Sequence, residues 1–182
     1  MVGESSLKKA YEAILNGDYE LAVLRFEEAI ALEPQQADYH YKCSITCARS
    51  GKWQKAIYHA EQAVMLDSDH EEYNYHLQTV QAKQLVLESE ALLGLSPPDS
   101  EGAIAKLRLA VNKDPLNLET FLLLGALYDS LAQYEQAAEF AEEAIRLDPQ
   151  HSAAQRLYAD VTQKQRRSKG QGANRRNRRK NR

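Results

Sequence analysis

The sequence predicts an all-α protein, folded as a right-handed α-solenoid of about four helix pairs that is closed by one further C-terminal helix. Ala, Leu, Glu, Gln and Lys dominate the composition, and all of them favour helix. Proline and glycine are scarce, with five and eight copies, and they stand between stretches of helical periodicity. Small residues also recur at fixed spacings, which is typical of a repeat protein.

Three sets of positions share one register. Segments that end in a turn close at Pro34, Ser68, Pro115 and Pro149, with spacings of 34, 47 and 34 residues. Two alanine columns follow the same spacings: Ala22, Ala56, Ala103 and Ala137, then Ala29, Ala63, Ala110 and Ala144. Small side chains let helices approach closely, and stacked helix pairs bury a continuous core that no single pair can bury alone.

The chain resembles the tetratricopeptide repeat (TPR) family over roughly residues 3–150. That motif has a 34-residue period, with W-x2-L-G-x2-Y on a first helix, A-x3-F on a second, and a closing proline. The matching residues are Phe121 in place of Trp, Leu124, Gly125 and Tyr128 for the first helix, and Ala22, Phe26 and Pro34 for the second. The resemblance implies a TPR domain over 3–167, with repeats at about 3–36, 37–70, 71–117 (which contains an insertion) and 118–151.

Short turns separate the helices of each pair. The dipeptide Gly17-Asp18, the tripeptide 50–52 and Ala132-Gln133 mark these turns, and Asp18 is a natural N-cap for a helix that starts at Tyr19. The first helix is expected near residues 6–15.

The third repeat is 13 residues longer than the others. Residues 71–93 contain neither proline nor glycine, so we expect one helix of about 23 residues and about 35 Å, although two shorter helices are an alternative. Such a helix would project beyond its neighbours and divide the stack. Pairing of this helix between two copies of the chain is a hypothesis for self-assembly.

The C-terminal region divides into a helix and a tail. Apolar residues line one face of a capping helix over 152–167: Ala153, Ala154, Leu157, Tyr158 and Val161. Residues 168–182 lack apolar periodicity, and we expect them to be disordered.

Charge is distributed unevenly along the chain. Residues 1–160 hold 13 basic and 26 acidic residues, a net charge of −13, whereas residues 161–182 hold ten basic residues and no acid. The candidate polyanion-binding residues of the tail are Arg175, Arg176, Arg178, Arg179, Lys180 and Arg182. This tail has three interpretations: contact with nucleic-acid phosphates, docking on an anionic membrane or ribosome surface or nuclear import, and contact with the chain's own acidic body.

Membrane, disulfide and catalytic signals are weak. No apolar stretch approaches the roughly 20 residues that span a bilayer, and the N-terminus has no apolar signal core, so we expect a cytoplasmic protein without an integral membrane segment.

Cys43 and Cys47 lie four apart on one helix, a poor geometry for a disulfide. His40, Cys43 and Cys47 occupy the positions of Phe121, Leu124 and Tyr128, respectively, so we interpret them as core residues and not as metal ligands. We expect no cofactor and no enzymatic activity, because nothing pairs a nucleophile with a base.

The concave groove is the candidate binding site, since the family resemblance implies a groove lined by the first helices of the pairs. Projected onto this chain, the groove residues are Leu7, Tyr11, Ile14, Tyr41, Ile45, Tyr75, Thr79, Leu122, Ala126 and Asp129. An alternative is that several of them pack against neighbouring helices. A Lys/Asn clamp for acidic chaperone C-termini, as some family members have, is not expected, because Leu7, Tyr11 and Lys42 occupy its places.

These observations favour a non-enzymatic scaffold or co-chaperone-like adaptor that binds a neutral or basic peptide or helix in its groove. The alternative is a nucleic-acid- or ribosome-associated factor that uses the arginine-rich tail as its contact, with the repeats docking a protein partner.

Overall fold

The structure is a computed structural model that describes the backbone of residues 2–180 and the side chains of residues 4–170. Within that part of the chain, all secondary structure is helical. The helices are α1 (Val2–Leu15), α2 (Tyr19–Leu32), α3 (Ala37–Arg49), α4 (Trp53–Leu66), α5 (Glu71–Leu93), α6 (Ser100–Lys113), α7 (Leu118–Ser130), α8 (Tyr134–Leu147) and α9 (Ser152–Lys180). The all-α fold predicted from the sequence is confirmed.

The helices belong to two compact units, residues 1–84 (unit 1) and 85–182 (unit 2). The sequence predicts that the long helix at 71–93 divides the stack, and the division falls inside this helix, α5. In unit 1, α1 packs on α2, α2 on α3, and α3 on α4. In unit 2, α6 packs on α7, α7 on α8, and α9 on both α7 and α8.

The alanine columns lie where the spacing placed them. All eight of these alanines are at most 1% exposed, and each belongs to α2, α4, α6 or α8. A methyl group at these positions lets the neighbouring helix backbone approach, which a larger side chain would prevent.

The helix ends follow from local chemistry. Asp18 Oδ1 accepts a hydrogen bond from the Leu21 amide at 2.9 Å, so it caps α2 as predicted. Gly17 and Gly51, both with φ of 75°, turn the chain after α1 and α3. Ala132, with φ of 57°, does the same after α7.

The lengths of α5 and α9 can be compared with those expected from the sequence. Residues 71–93 form the single helix α5. Helix α9 continues to Lys180, beyond the expected end at 167 and into the segment expected to be disordered. No proline interrupts residues 152–180, and the Arg, Lys and Gln residues support helix, although Gly170 and Gly172 oppose it.

Candidate functional site

Side-chain contacts join the first helices of unit 1. Lys42 Nζ of α3 lies 5.6 Å from the ring centroid of Tyr11 of α1, within the range of a cation–π contact. The Tyr41 hydroxyl of α3 donates to Glu72 Oε1 of α5 at 2.8 Å. Tyr75 lies three residues after Glu72, on the same face of α5. We call the surface formed by Tyr11, Tyr41 and Tyr75 the tyrosine surface.

The tyrosine surface presents aromatic area to solvent. Tyr11 is 40% exposed and Tyr75 is 57% exposed, while Tyr41 is half-buried. The Tyr11 ring stands edge-on to the buried Phe26 ring, with centroids 5.9 Å apart, so one side of it is held by the core. The rings are therefore placed by packing before any ligand arrives, which lowers the ordering cost of binding.

Hydrogen bonds and an ion pair hold Tyr41 and Lys42 in place on α3. Burial and the hydrogen bond to Glu72 raise the pKa of Tyr41 to about 12, so its hydroxyl remains a neutral donor. Burial lowers the pKa of Lys42, but hydrogen bonds with Asp38 and Tyr11 outweigh it, and the net direction is upward. The Lys42 ammonium is also 2.6 Å from Asp38 Oδ2. Lys42 is therefore a fixed positive charge between two helices.

The remaining predicted groove residues of unit 1 divide between core and surface. Leu7 and Ile14 are partly buried and pack against the core cluster that includes Val23 and Phe26. Ile45 and Thr79 are half-buried. The alternative foreseen from the sequence, that some of these residues serve the core, therefore holds for Leu7 and Ile14.

The three predicted groove residues of unit 2 have separate environments. Leu122 packs against a core cluster that contains Phe121, and Ala126 is exposed. Asp129 Oδ2 pairs with Lys164 Nζ of α9 at 2.7 Å. Hydrogen bonds with Asp129 and then Asp160 raise the pKa of Lys164. The side chain of Asp129 is 18% exposed, so the capping helix covers most of it.

Sequence reasoning missed an acidic column beside the tyrosines. Glu4, Asp38 and Glu72 are 34 residues apart and lie in the first turns of α1, α3 and α5. Asp38 and Glu72 hold Lys42 and Tyr41 in place. The spacing itself was the available signal, because a charge that recurs at the repeat period recurs on one face.

The buried polar residues of α3 belong to the core. His40 is 5% exposed, and Cys43 and Cys47 are both fully buried, in line with the packing interpretation. Among the residues whose side chains are described, no three His, Cys, Asp or Glu side chains converge as metal ligands would. No helix in the described range has both the length and the apolar character needed to cross a bilayer.

The candidate tail residues lie beyond the described side chains. For Arg175, Arg176, Arg178, Arg179 and Lys180 the structure describes the backbone only, and Arg182 lies outside the described residues. Their role stays a prediction.

Comparison with known proteins identifies a known repeat in the last helix pair. Residues 118–151, which cover α7 and α8, match the family model of the tetratricopeptide repeat. The fold is similar to that of a solved MamA protein, with a TM-score of 0.54 at 18% identity over 90% of this chain and 82% of that one. It is also similar to a tetratricopeptide repeat protein from Parabacteroides merdae, with a TM-score of 0.53 at 16% identity over 90% and 60% of the two chains.

The chain therefore contains a tetratricopeptide repeat in α7 and α8, and its helices have the fold of tetratricopeptide repeat proteins. Among curated proteins, the chain is similar to the DnaJ protein P58IPK homolog B of Oryza sativa subsp. japonica, with 33% identity over 76 residues. The matched region is 42% of this chain and only 16% of the rice protein. The similarity therefore covers less than half of this chain and a small part of the relative.

Proposed function

We propose that this TPR protein is a non-catalytic, cytoplasmic protein-interaction scaffold that binds a peptide segment on the tyrosine surface of unit 1. The observation that carries the proposal is the exposure of Tyr11 and Tyr75, at 40% and 57%, on either side of a Tyr41 that is fixed by Glu72. Tyrosine supplies a large contact area and a hydroxyl at low entropic cost, which is why it is enriched at binding hot spots.

The charge beside the tyrosines favours a neutral or basic segment. The acidic column contributes three carboxylates to the starts of α1, α3 and α5, and the net charge of residues 1–160 is −13. Complementary potentials accelerate encounter and exclude like-charged partners. A co-chaperone-like adaptor is the finer form of this proposal, and the repeat similarity to proteins named DnaJ supports it.

Peptide selection tests the tyrosine surface directly. A phage-displayed random peptide library is selected on the wild-type protein, and the enriched peptides are measured by fluorescence polarisation. We expect enrichment of lysine and arginine, and dissociation constants that rise about tenfold or more in Tyr75→Ala, since hot-spot truncation costs about 2 kcal/mol. Tyr41→Ala combined with Tyr75→Ala is expected to abolish binding.

Tyr58→Ala is the matched control. Tyr58 is 54% exposed, much like Tyr75, but it lies on the second helix α4. Circular dichroism shows whether each variant keeps wild-type helicity. Equal affinities of the wild type, Tyr58→Ala and Tyr75→Ala for the selected peptides would refute the assignment to the tyrosine surface.

The basic C-terminal segment supports a second candidate function, association with nucleic acid or ribosomes. Ten lysines and arginines in residues 161–182 provide charge for phosphate contact, and such binding weakens steeply with salt. Deletion of residues 168–182 is expected to abolish salt-dependent retention of a 30-nucleotide single-stranded RNA. Absence of RNA binding by the intact chain at low salt rules this function out.

A further inference from the structure

Two histidines in unit 1 occupy the places of two phenylalanines in unit 2. His40 on α3 and His59 on α4 each precede their counterparts, Phe121 on α7 and Phe140 on α8, by 81 residues. The ring centroids are 5.4 Å apart in the histidine pair and 6.4 Å apart in the phenylalanine pair. His40 and His59 are only 5% and 6% exposed, so a charge on either ring would be withdrawn from water.

The imidazoles of His40 and His59 lie within hydrogen-bond distance of each other. Nδ1 of His40 and Nδ1 of His59 are 3.1 Å apart, and a neutral imidazole carries a single N–H. A hydrogen bond across this contact therefore requires one Nδ1 to carry its hydrogen and the other Nδ1 to accept it. Addition of one proton gives this buried pair a positive charge. Addition of a second proton leaves an N–H group on both Nδ1 atoms, and these two donors repel each other.

The charged groups around the pair do not compensate such a cation. From α2, Glu27 Oε1 lies 4.0 Å from His59 Nε2, beyond hydrogen-bond distance. The Glu27 charge favours protonation of His59, but this carboxylate is already paired with Lys55 Nζ of α4 at 2.7 Å. Burial, the neighbouring His40 and the Lys55 charge all oppose protonation, and the net effect lowers the pKa of His59. Tyr58, also on α4, faces His59 with its ring edge, at a centroid distance of 5.1 Å.

A third histidine lies at the contact of α3 with α5. His76 Nε2 is 2.8 Å from Ser44 Oγ, and that hydroxyl gives its own hydrogen to the carbonyl of Ala56 at 2.6 Å. His76 must therefore donate. Glu72 is the charged group of α5 that acts on His76, and its carboxylate already accepts from Tyr41.

We propose that His40 and His59, with His76 beside them, form an acid-sensitive switch that holds α3, α4 and α5 of unit 1 together at neutral pH and loosens them in mildly acidic medium. The proposal follows from three imidazoles packed in helix contacts whose counterparts in unit 2 are apolar: Phe121, Phe140 and Leu157. Release of a ligand from the tyrosine surface, which shares α3, would follow; that consequence rests on the proposed function, whereas the switch does not.

The direction of the pH effect follows from proton linkage. Burial lowers the pKa of all three histidines, and the value for His59 falls from 6.5 to about 4. The folded chain therefore binds fewer protons than the unfolded chain as the pH falls from 6.5 towards 4. Stability is retained above this window and lost within it. For His59 alone, the unfolding equilibrium constant rises about 30-fold between pH 7.5 and pH 5.0.

Urea unfolding followed by tryptophan fluorescence measures this change. Trp53 is the single tryptophan of the sequence and begins α4, so it reports on unit 1. We expect the wild type to show a rise of about 30-fold or more between pH 7.5 and 5.0. The double variant His40→Phe/His59→Phe, which carries the pair found in the last repeat, is expected to lose most of this dependence.

Two further variants keep the test decisive. His151→Asn, outside unit 1, is expected to retain the wild-type pH dependence. If the double phenylalanine variant fails to fold, His59→Gln keeps a hydrogen-bonding side chain without the titration and is expected to flatten the curve. A wild-type unfolding constant that is unchanged between pH 7.5 and 5.0, or the same steep dependence in folded variants that lack His59, overturns the switch.

Hydrogen exchange locates the opening and separates it from peptide binding. With rates corrected for intrinsic exchange, peptides from 37–66 are expected to gain exchange at pH 5.0 more than peptides from 118–147. Equal changes in both regions contradict a switch in unit 1. The two proposals can fail separately. If unit 1 opens in acid but the tyrosine variants bind peptide with wild-type affinity at pH 7.5, the switch stands and only the proposed function is refuted.

Discussion

The helix pair α3–α4 of unit 1 and the pair α7–α8 of unit 2 share one plan and differ in chemistry. Cys43 on α3 corresponds to Leu124 on α7, and the second helices carry matched alanines such as Ala56 and Ala137, both fully buried. The alanine positions are restricted because a helix backbone passes over them. The facing positions tolerate either polar or apolar groups, provided that polar groups find partners within the pair.

The clearest case of this rule is a set of three positions. In unit 1, Ser44 donates to the carbonyl of Ala56 at 2.6 Å and contacts His76 Nε2 at 2.8 Å. In unit 2 the counterpart is Gly125, where a Cβ would lie 2.9 Å from Leu157 Cδ2 and 3.4 Å from the carbonyl oxygen of Ala137. The polar set and the apolar set are each internally consistent, so one member cannot be exchanged without the others.

The largest difference between the pairs is expected when the central core residue is truncated. Leu124→Ala should lower the free energy of unfolding by about 3 kcal/mol, because Leu124 is fully buried and the cavity cannot be filled. Cys43→Ala at the corresponding position should cost only about 1 kcal/mol, since a single sulfur is lost. Urea unfolding of both variants checks the ratio, and equal losses would contradict the different packing of the two pairs.

The polar set of unit 1 is expected to depend on the Ser44 hydroxyl. Ser44→Ala leaves His76 Nε2 without its partner and removes the hydroxyl that donates to the Ala56 carbonyl, and an unsatisfied buried group costs about 1–3 kcal/mol. Ser50→Ala is the control, because its hydroxyl bonds the Cys47 carbonyl from a half-buried position at the helix end. Thermal unfolding should place Ser44→Ala well below Ser50→Ala, and the opposite order would show that the buried hydroxyl contributes little.

Features that follow from spacing along the chain were predictable from the sequence. The alanine columns, the N-cap at Asp18 and the helix over 71–93 depend on local chemistry or on the repeat period. The ion pair between Asp129 and Lys164 joins residues 35 apart. It could not be predicted from the sequence, because it depends on where α9 packs against α7. Periodicity assigns a residue to a face of a helix, but it does not determine which side chain on that face finds a hydrogen-bond partner.

The turns after α3 and α7 should respond with opposite signs to reciprocal substitutions. Gly51 and Ala132 occupy the same position, with φ of 75° and 57°, in a conformation that costs an alanine about 1 kcal/mol relative to glycine. Gly51→Ala should therefore destabilise the protein by about 0.5 kcal/mol, because the reduced freedom of the unfolded chain offsets part of the strain. Ala132→Gly should stabilise it by about 0.5 kcal/mol, because greater freedom in the unfolded chain offsets part of the relief. Urea titrations resolve both changes. A loss of stability in Ala132→Gly would mean that the Ala132 methyl group makes favourable contacts that outweigh the strain of its backbone.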